Sequence, residues 1–235
     1  MKKILKAILS ITIISQFSFA ADKIKIDIVS DVVCPWCAIG YKRLSVAIDE
    51  LKLNEKVEIV WHPFELNPDM PREGRNANEY LMDKYNLTEK KLQETRNRVT
   101  NLGKETGFEF DYFAEMKKVN SFNSHILLKY AKKFNKQTEL KVRLQHAYFG
   151  ERKDISQRSV LREELLAVGL NADEAMKLLD DEKEIKAIEN EEKFWRDQGV
   201  YAIPTIIFNN KIARMGANKT SEYKEILKDL EKELN

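Results

Sequence analysis

Cys34 and Cys37 are the only cysteines among the 235 residues of this chain, and only Pro35 and Trp36 separate them. A disulfide that closes so short a loop removes little conformational entropy from the unfolded chain, so it would be a weak structural crosslink. The Cys-Pro-Trp-Cys sequence therefore indicates redox chemistry, and it requires a fold that presents both sulfurs together.

The residues on either side of the pair predict a strand followed by a helix. Residues 23–30 (KIKIDIVS) alternate apolar and polar side chains, as a half-buried strand does. After Cys37 the apolar residues Leu44, Ala47, Ile48 and Leu51 follow the i, i+3, i+4, i+7 spacing of an amphipathic helix. The cysteine pair thus lies where a strand gives way to a helix N-terminus.

This position predicts different roles for the two cysteines. Free backbone N–H groups and the positive end of the helix dipole favour a thiolate at Cys34. Pro35 suits the first helical turn, where a missing N–H has no cost. We expect Cys34 to be the exposed nucleophile and Cys37, one turn later, to be the buried resolving thiol.

Three other interpretations of the pair are weaker. A zinc site needs four ligands, and the only other candidates are the scattered His62, His125 and His146. Attachment of haem needs histidine directly after Cys37, where the chain has alanine. The third alternative is a Cys-x-x-Cys that occurs by chance. We therefore expect no metal and no cofactor.

Residues 1–20 have the pattern of a cleaved signal peptide. Lysines at positions 2, 3 and 6 precede a short apolar run from Ala7 to Phe19, and small residues stand at positions 18 and 20. The run is too short and too polar for a typical membrane span, so a retained anchor is the less favoured alternative. We expect cleavage near Ala20-Ala21 and localisation in the periplasm or outside the cell, where disulfides persist.

Composition excludes few functions but makes nucleic acid an improbable partner. Removal of residues 1–20 leaves 215 residues with 37 basic and 38 acidic side chains. No strongly basic face is predicted in such a chain. Its length is sufficient for one core with an inserted subdomain.

The periodicity predicts an α/β fold with a helical insertion. The expected order is strand, helix, strand, helical block, strand, strand, helix. We assign residues 21–67 and 199–235 to one domain and residues 68–198 to the inserted helical subdomain. Within the insertion we expect helix caps at Thr88, Ser156 and Asn171.

Several motifs together resemble a known family. They are SDVVCPWCAIG, PFELNPDMPREG, GFEFDY with VNSF, FGERKDIS and MGAN, in this order along the chain. The sequence resembles DsbA-like thioredoxin-fold disulfide oxidoreductases, and more narrowly their FrnE-type branch. The resemblance implies a thioredoxin-like fold with a large inserted α-helical subdomain, and an exported enzyme that forms or rearranges disulfides in proteins.

The resemblance also implies a substrate-binding loop. Ile203, Pro204 and Thr205 match the cis-proline loop of this fold, in which backbone groups beside the cysteines pair with an extended substrate. Trp36 has little room for burial in the active loop, so we expect it to line the substrate face.

Related folds carry a buried acid that relays a proton to the resolving cysteine. Asp27, an acid between the apolar residues of a strand, is the best candidate. Asp31 is the alternative, although we expect it to shape the turn or cap the helix. We expect the three histidines to lie at the edge of the core or on the surface.

Two other classes of function remain open. One is a glutathione-dependent kappa-type isomerase or transferase, which shares a helical insertion but normally has serine at the reactive position. The other is a binding or chaperone module in which the Cys-x-x-Cys is incidental. For the oxidoreductase we expect protein thiols and disulfides as substrates, a membrane or soluble redox-recycling partner, and a monomer.

Overall fold

A computed structural model describes residues 23–234, so the predicted signal peptide lies outside the described residues. In this range no helix is both long and apolar enough to cross a membrane. The strands are β1 (Ile24–Ser30), β2 (Val57–Pro63), β3 (Arg75–Asn76), β4 (Lys117–Lys118), β5 (Thr205–Phe208) and β6 (Ile212–Met215). The helices are α1 (Pro35–Glu50), α2 (Ala77–Tyr85), α3 (Glu89–Thr106), α4 (Phe122–Lys132), α5 (Gln137–Phe149), α6 (Arg158–Ala167), α7 (Ala172–Lys177), α8 (Glu182–Asp197) and α9 (Thr220–Glu233).

Four strands form the main sheet in the order β2-β1-β5-β6. β1 pairs parallel to β2, with Ile24 opposite Val57, and antiparallel to β5, with Ile26 opposite Phe208. β5 and β6 form a hairpin whose turn residues, Asn209 and Asn210, have positive φ values of 47° and 55°. Asparagine tolerates this conformation, which a tight hairpin turn requires.

Alternate residues of β1 face different partners. The isoleucines at positions 24, 26 and 28 pack with Leu44 and Ile48 of α1 and with Tyr223 and Leu227 of α9. Val29, on the other face, packs near Trp195 of α8. This alternation places α1 and its N-terminal cysteines on the α9 side of the sheet.

The helical insertion has its own core, and the start of α1 belongs to that core as well. Buried residues of α3 to α8 form one cluster, which also contains Val32, Val33, Ala38 and Ile39. The segment around the cysteines is therefore packed between the sheet and the insertion.

Most predicted elements are present, with local corrections. Thr88 and Asn171 cap α3 and α7 as predicted, since their side chains accept backbone N–H groups of Lys91 and Glu174. Ser156 is not a cap, because α6 begins later, after Gln157. The short strands β3 and β4 were not predicted, because two residues carry no readable periodicity.

Gly103 lets α3 lie against the segment that follows it. A Cβ at this position would lie 2.5 Å from the Phe108 carbonyl oxygen and 2.5 Å from the Phe110 ring. No real side chain tolerates such contacts without a backbone shift, so this glycine fixes the position of α3 in the insertion.

We expect Gly103→Ala to destabilise the protein by about 1–2 kcal/mol. Overpacking against a backbone carbonyl belongs to the upper part of the usual cost of about 1–3 kcal/mol, and the gain in helix propensity offsets roughly 1 kcal/mol of it. Urea denaturation measures the free energy of unfolding. Asn101→Ala, at an exposed position of the same helix, is the control and should not lower stability. Equal stability of Gly103→Ala and wild type would show that α3 can move away.

Candidate active site

The structure places the two cysteines at the N-terminus of α1. Cys34 is the N-cap residue, with extended backbone angles, and Pro35 occupies the first turn. The Cys34 Sγ atom accepts a hydrogen bond from the Cys37 backbone N–H at 3.2 Å. Both cysteines are free thiols. A negative charge on Cys34 is therefore met by a backbone donor and by the positive end of the helix.

The expected exposure of Cys34 was wrong. Cys34 is 2% exposed and Cys37 is 1% exposed. Helices α2 and α3 of the insertion lie over Cys34 and enclose a cavity of about 260 Å³ beside it. Trp36 is half-buried, since it packs against the core of the insertion, and it lines the same cavity.

The loop before β5 adjoins the start of α1. The Ile203–Pro204 peptide bond is cis, as the resemblance implied. A Cβ on Gly40 would lie 3.0 Å from Pro204 Cγ, so the glycine permits close contact between α1 and this loop. Ile203 lines the cavity beside Cys34.

Some backbone groups of this loop are hydrogen-bonded within the protein, and others are not. The Pro204 carbonyl accepts the Gly216 N–H at 2.7 Å, and Thr205 Oγ1 donates to the Ala202 carbonyl at 2.7 Å. Within residues 23–234 no hydrogen bond engages the N–H or C=O group of Ile203. These two groups are available to an extended peptide.

The segment from Ser30 to Val33, which joins β1 to α1, is buried and is held by side chains of the insertion. Lys118 Nζ donates to the Val33 carbonyl at 3.0 Å, and Lys141 Nζ lies 3.5 Å from the Ser30 carbonyl. The Asp31 carboxylate accepts the backbone N–H groups of Val33 and Leu66 at 3.3 and 2.9 Å. His125 Nε2 lies 3.6 Å from the same carboxylate. As expected, Asp31 shapes the turn.

Asp27 is buried, but it does not act on the cysteines. Its carboxylate pairs with His62 Nε2 at 2.7 Å and with Lys25 Nζ at 3.3 Å. His62 in turn contacts Glu191 of α8 at 2.7 Å. Asp27 lies on the same face of β1 as Val29, toward α8, whereas α1 packs on the other face. The predicted relay role of Asp27 is therefore corrected.

Burial and the nearby Cys34 sulfur raise the pKa of the Cys37 thiol well above its usual value. The Lys141 ammonium and the Asp31 backbone N–H oppose this rise. Burial also lowers the pKa of Lys141 to about 8, against the opposing influence of Cys37 and Asp31. A lysine with such a pKa can exchange a proton near neutral pH.

Lys141 also borders a cavity, although none of its own surface is exposed to solvent. The cavity holds about 450 Å³ and is lined as well by His125, Gln137 and the half-exposed Lys129. The residue that lowers the pKa of the buried Cys37 thus also lines a cavity. This arrangement can deliver a proton to Cys37 or remove one.

The sequence interpretation missed Lys141, Lys118 and the buried role of His125. One feature indicated Lys141: with Leu144, Gln145 and Tyr148 it follows the i, i+3, i+4, i+7 spacing of the buried face of α5. A lysine on such a face needs a partner. No comparable pattern indicates Lys118, which lies in a two-residue strand.

The strand, Cys-Pro-Trp-Cys, helix and adjoining proline loop define a thioredoxin-fold protein. The DSBA-like thioredoxin domain matches residues 25–228. The chain belongs to this family, and the predicted DsbA-like disulfide oxidoreductase or isomerase class and α/β fold with a helical insertion are confirmed. No curated protein sequence matches significantly.

Solved structures share the fold at low sequence identity. The probable DsbA oxidoreductase of Streptomyces coelicolor has a TM-score of 0.82 and 21% identity over 88% of this chain and 89% of its own. The cytosolic disulfide reductase DsbM of Pseudomonas aeruginosa, with GSH, has a TM-score of 0.62 and 16% identity over 88% and 99%. Wolbachia pipientis α-DsbA1 has a TM-score of 0.57 and 11% identity over 92% and 88%. The narrower placement in the FrnE-type branch stays a prediction.

Asp31 should stabilise the protein in a pH-dependent way. Burial opposes its ionisation, but His125, the Leu66 N–H and Lys141 hold the pKa of the Asp31 carboxyl at about 2, below the usual 3.8. Since the folded pKa is the lower one, protons bind first to the unfolded chain. The stabilisation is therefore complete above about pH 4 and is lost as the pH falls toward 2.

We expect Asp31→Asn to lower the free energy of unfolding by about 2 kcal/mol at neutral pH. The difference from wild type should shrink between about pH 4 and 2. Urea denaturation across this range measures it, with the exposed Asp69→Asn as the control. A difference that does not change with pH would show that the loss is not electrostatic.

Lys141→Met should raise the pKa of Cys37 further, because it removes the ammonium that lowers it. Release of a mixed disulfide by Cys37 should then require a higher pH than in wild type. Quenched-flow mass spectrometry of the mixed disulfide at several pH values measures this step. Lys132→Met, at an exposed position of the same cavity, should keep the wild-type pH dependence of mixed-disulfide release. If Lys141→Met shows the wild-type pH dependence as well, Lys141 has no role in this step.

Proposed function

We propose that this protein is an exported thiol-disulfide oxidoreductase that forms or rearranges disulfides in other proteins through Cys34 and Cys37. The observation that carries the proposal is the position of the dithiol at the N-terminus of α1, beside the unpaired backbone groups of Ile203. A sulfur nucleophile and a peptide-binding edge thus occur at one place.

The proposed reaction is thiol-disulfide exchange. In the oxidised enzyme, a substrate thiolate attacks Cys34 Sγ, a mixed disulfide forms and Cys37 leaves as a thiolate. A second substrate thiol then releases the product disulfide. The reduced enzyme follows the reverse path, in which Cys34 attacks a substrate disulfide and Cys37 releases it.

Lys141 assists the step in which Cys37 gains or loses its proton. A buried thiolate that leaves without a proton has a high free energy. The Lys141 ammonium stabilises this charge, and it can pass a proton between Cys37 and the cavity that it lines. Lys141 is a positioning and proton-transfer residue in this mechanism.

The substrates that fit this site are extended cysteine-containing segments. Main-chain bonds to Ile203 do not depend on the substrate's side chains. Tyr201 and Met215, which are 80% and 63% exposed, provide apolar surface near the loop. Because Cys34 itself is buried, an unfolded or flexible segment can reach it more readily than a folded surface can.

Export is supported by residues 1–20, whose basic, apolar and small residues follow the order of a signal peptide. We expect the chain expressed in a Gram-negative bacterium to be recovered from the periplasm with Ala21 at its N-terminus. Ala20→Arg should block cleavage, because the site requires a small residue. Intact mass and N-terminal sequencing measure this. Recovery of the uncleaved chain from the cytoplasm would reject export.

The two cysteines should differ in trapping experiments. Cys37→Ser should accumulate mixed disulfides with other proteins, because the residue that releases them is missing. Cys34→Ser should accumulate none, and it should fail to promote refolding of a reduced or scrambled disulfide protein. Non-reducing electrophoresis and mass spectrometry identify the adducts. Equal trapping by both variants would reverse the assigned order, and refolding activity of Cys34→Ser would reject the proposed function.

A further inference from the structure

The cavity beside Cys34 has apolar walls and a cationic interior. Its apolar wall includes Trp36, Leu81, Val99 and Ile203, and two basic side chains, Arg96 and Lys118, also line it. None of its lining residues in the described part of the chain is acidic. Buried charges are normally paired, so each of these two cations requires a partner.

Lys118 has a partner that explains its burial, but Arg96 does not. Lys118 donates to the Val33 carbonyl, as described above. Arg96 is 8% exposed, and its Nε and Nη2 atoms have no hydrogen-bond partner among residues 23–234. Its guanidinium group lies 4.9 Å from the centre of the Tyr112 ring, a contact that orients the group but satisfies none of its N–H donors.

We propose that this cavity binds a small thiol, or its disulfide, that carries a carboxylate, and that Arg96 holds the carboxylate while the sulfur meets Cys34. A guanidinium with free N–H groups binds a carboxylate in a bidentate manner. The apolar walls would contact the carbon chain between carboxylate and sulfur. The inference rests on the proposed function, because it names a substrate class for the same dithiol.

A small ligand fits this site better than an acidic protein segment. The cavity holds about 260 Å³, which accommodates a few carbon atoms with their end groups. Cys34 is almost fully buried and borders this cavity. Arg96 is buried as well, so a carboxylate must enter the cavity to reach it.

The reaction at this site would be a balanced two-electron exchange. The Cys34 thiolate attacks a symmetric disulfide, forms a mixed disulfide and releases one thiolate of the ligand. Cys37 then attacks Cys34 Sγ, which closes the Cys34–Cys37 disulfide and releases the second thiolate. The enzyme loses two electrons, the ligand disulfide gains them, and the two cysteine protons finish on the two released thiols.

The test compares an anionic and a neutral disulfide of similar size in a Cys37→Ser background, where Cys34 is the only cysteine. The probes are bis(2-carboxyethyl) disulfide and bis(2-hydroxyethyl) disulfide, and mass spectrometry measures the rate of adduct formation. Arg96→Gln should lower the anionic-to-neutral rate ratio about tenfold or more, because it removes a hydrogen-bonded charge pair. Arg96→Lys should restore part of the ratio.

The matched control is Lys104→Gln. Lys104 lies on the same helix and carries the same charge, but it is exposed and does not line the cavity. The ratio should stay near the wild-type value in this variant. An equal fall in Lys104→Gln would attribute the effect to surface charge and overturn the proposal.

A second measurement needs no substitution of Arg96. In the Cys37→Ser protein, excess 3-phenylpropionate should slow the reaction of the anionic probe, whereas 3-phenylpropanol should slow it much less. Equal inhibition by the two compounds, or no inhibition by either, would overturn a carboxylate site. Selectivity for cysteine peptides with a neighbouring glutamate, without selectivity for the small probe, would overturn the small-ligand assignment. Failure of Cys34 to react with the neutral probe would instead count against the proposed function.

Discussion

The position of both sulfurs depends on how the buried segment from Ser30 to Val33 satisfies its polar groups. After Ser30, the last residue of β1, this segment lies in no strand or helix, so its carbonyl groups cannot all use regular backbone pairing. Lys118 and Lys141, both from the insertion, donate to two of these carbonyls. The sheet, the start of α1 and the insertion are therefore held together at the residues directly before Cys34, and the insertion is part of the site.

The lysines that donate to these buried carbonyl groups also determine the electrostatics of the dithiol. The two lysines bring positive charge close to the sulfurs in a region of low dielectric, where each charge has a larger effect than in water. The Asp31 carboxylate balances part of that charge. Cys37 is consequently subject to opposing influences: burial disfavours its thiolate and Lys141 favours it. A thiol in this balance can leave as a thiolate and be protonated again within one exchange reaction.

Two separate cavities adjoin the groups that the exchange reaction uses. One, beside Cys34, has apolar walls and is also lined by Arg96. The other is lined by Lys141, His125 and three further lysines. Cys34, and the lysine that lowers the pKa of Cys37, thus adjoin different cavities.

Sequence alone determined the local features. The Cys-x-x-Cys, the alternation of β1 and the helical spacing after Cys37 depend on residues close together in the chain, and their predictions agree with the structure. The resemblance correctly placed the cis peptide bond before Pro204.

Tertiary structure decided which side chains surround the sulfurs. The alternation of β1 did not show which face of the sheet Asp27 lies on. In the structure α1 packs against one face and α8 against the other, and Asp27 lies on the α8 face, where it pairs with His62. Cys34 is buried because α2 and α3, distant in sequence, lie over it. Lys118, Lys141 and Arg96 reach the site from about 60 to 110 residues away, and their charges become significant only where folding removes water.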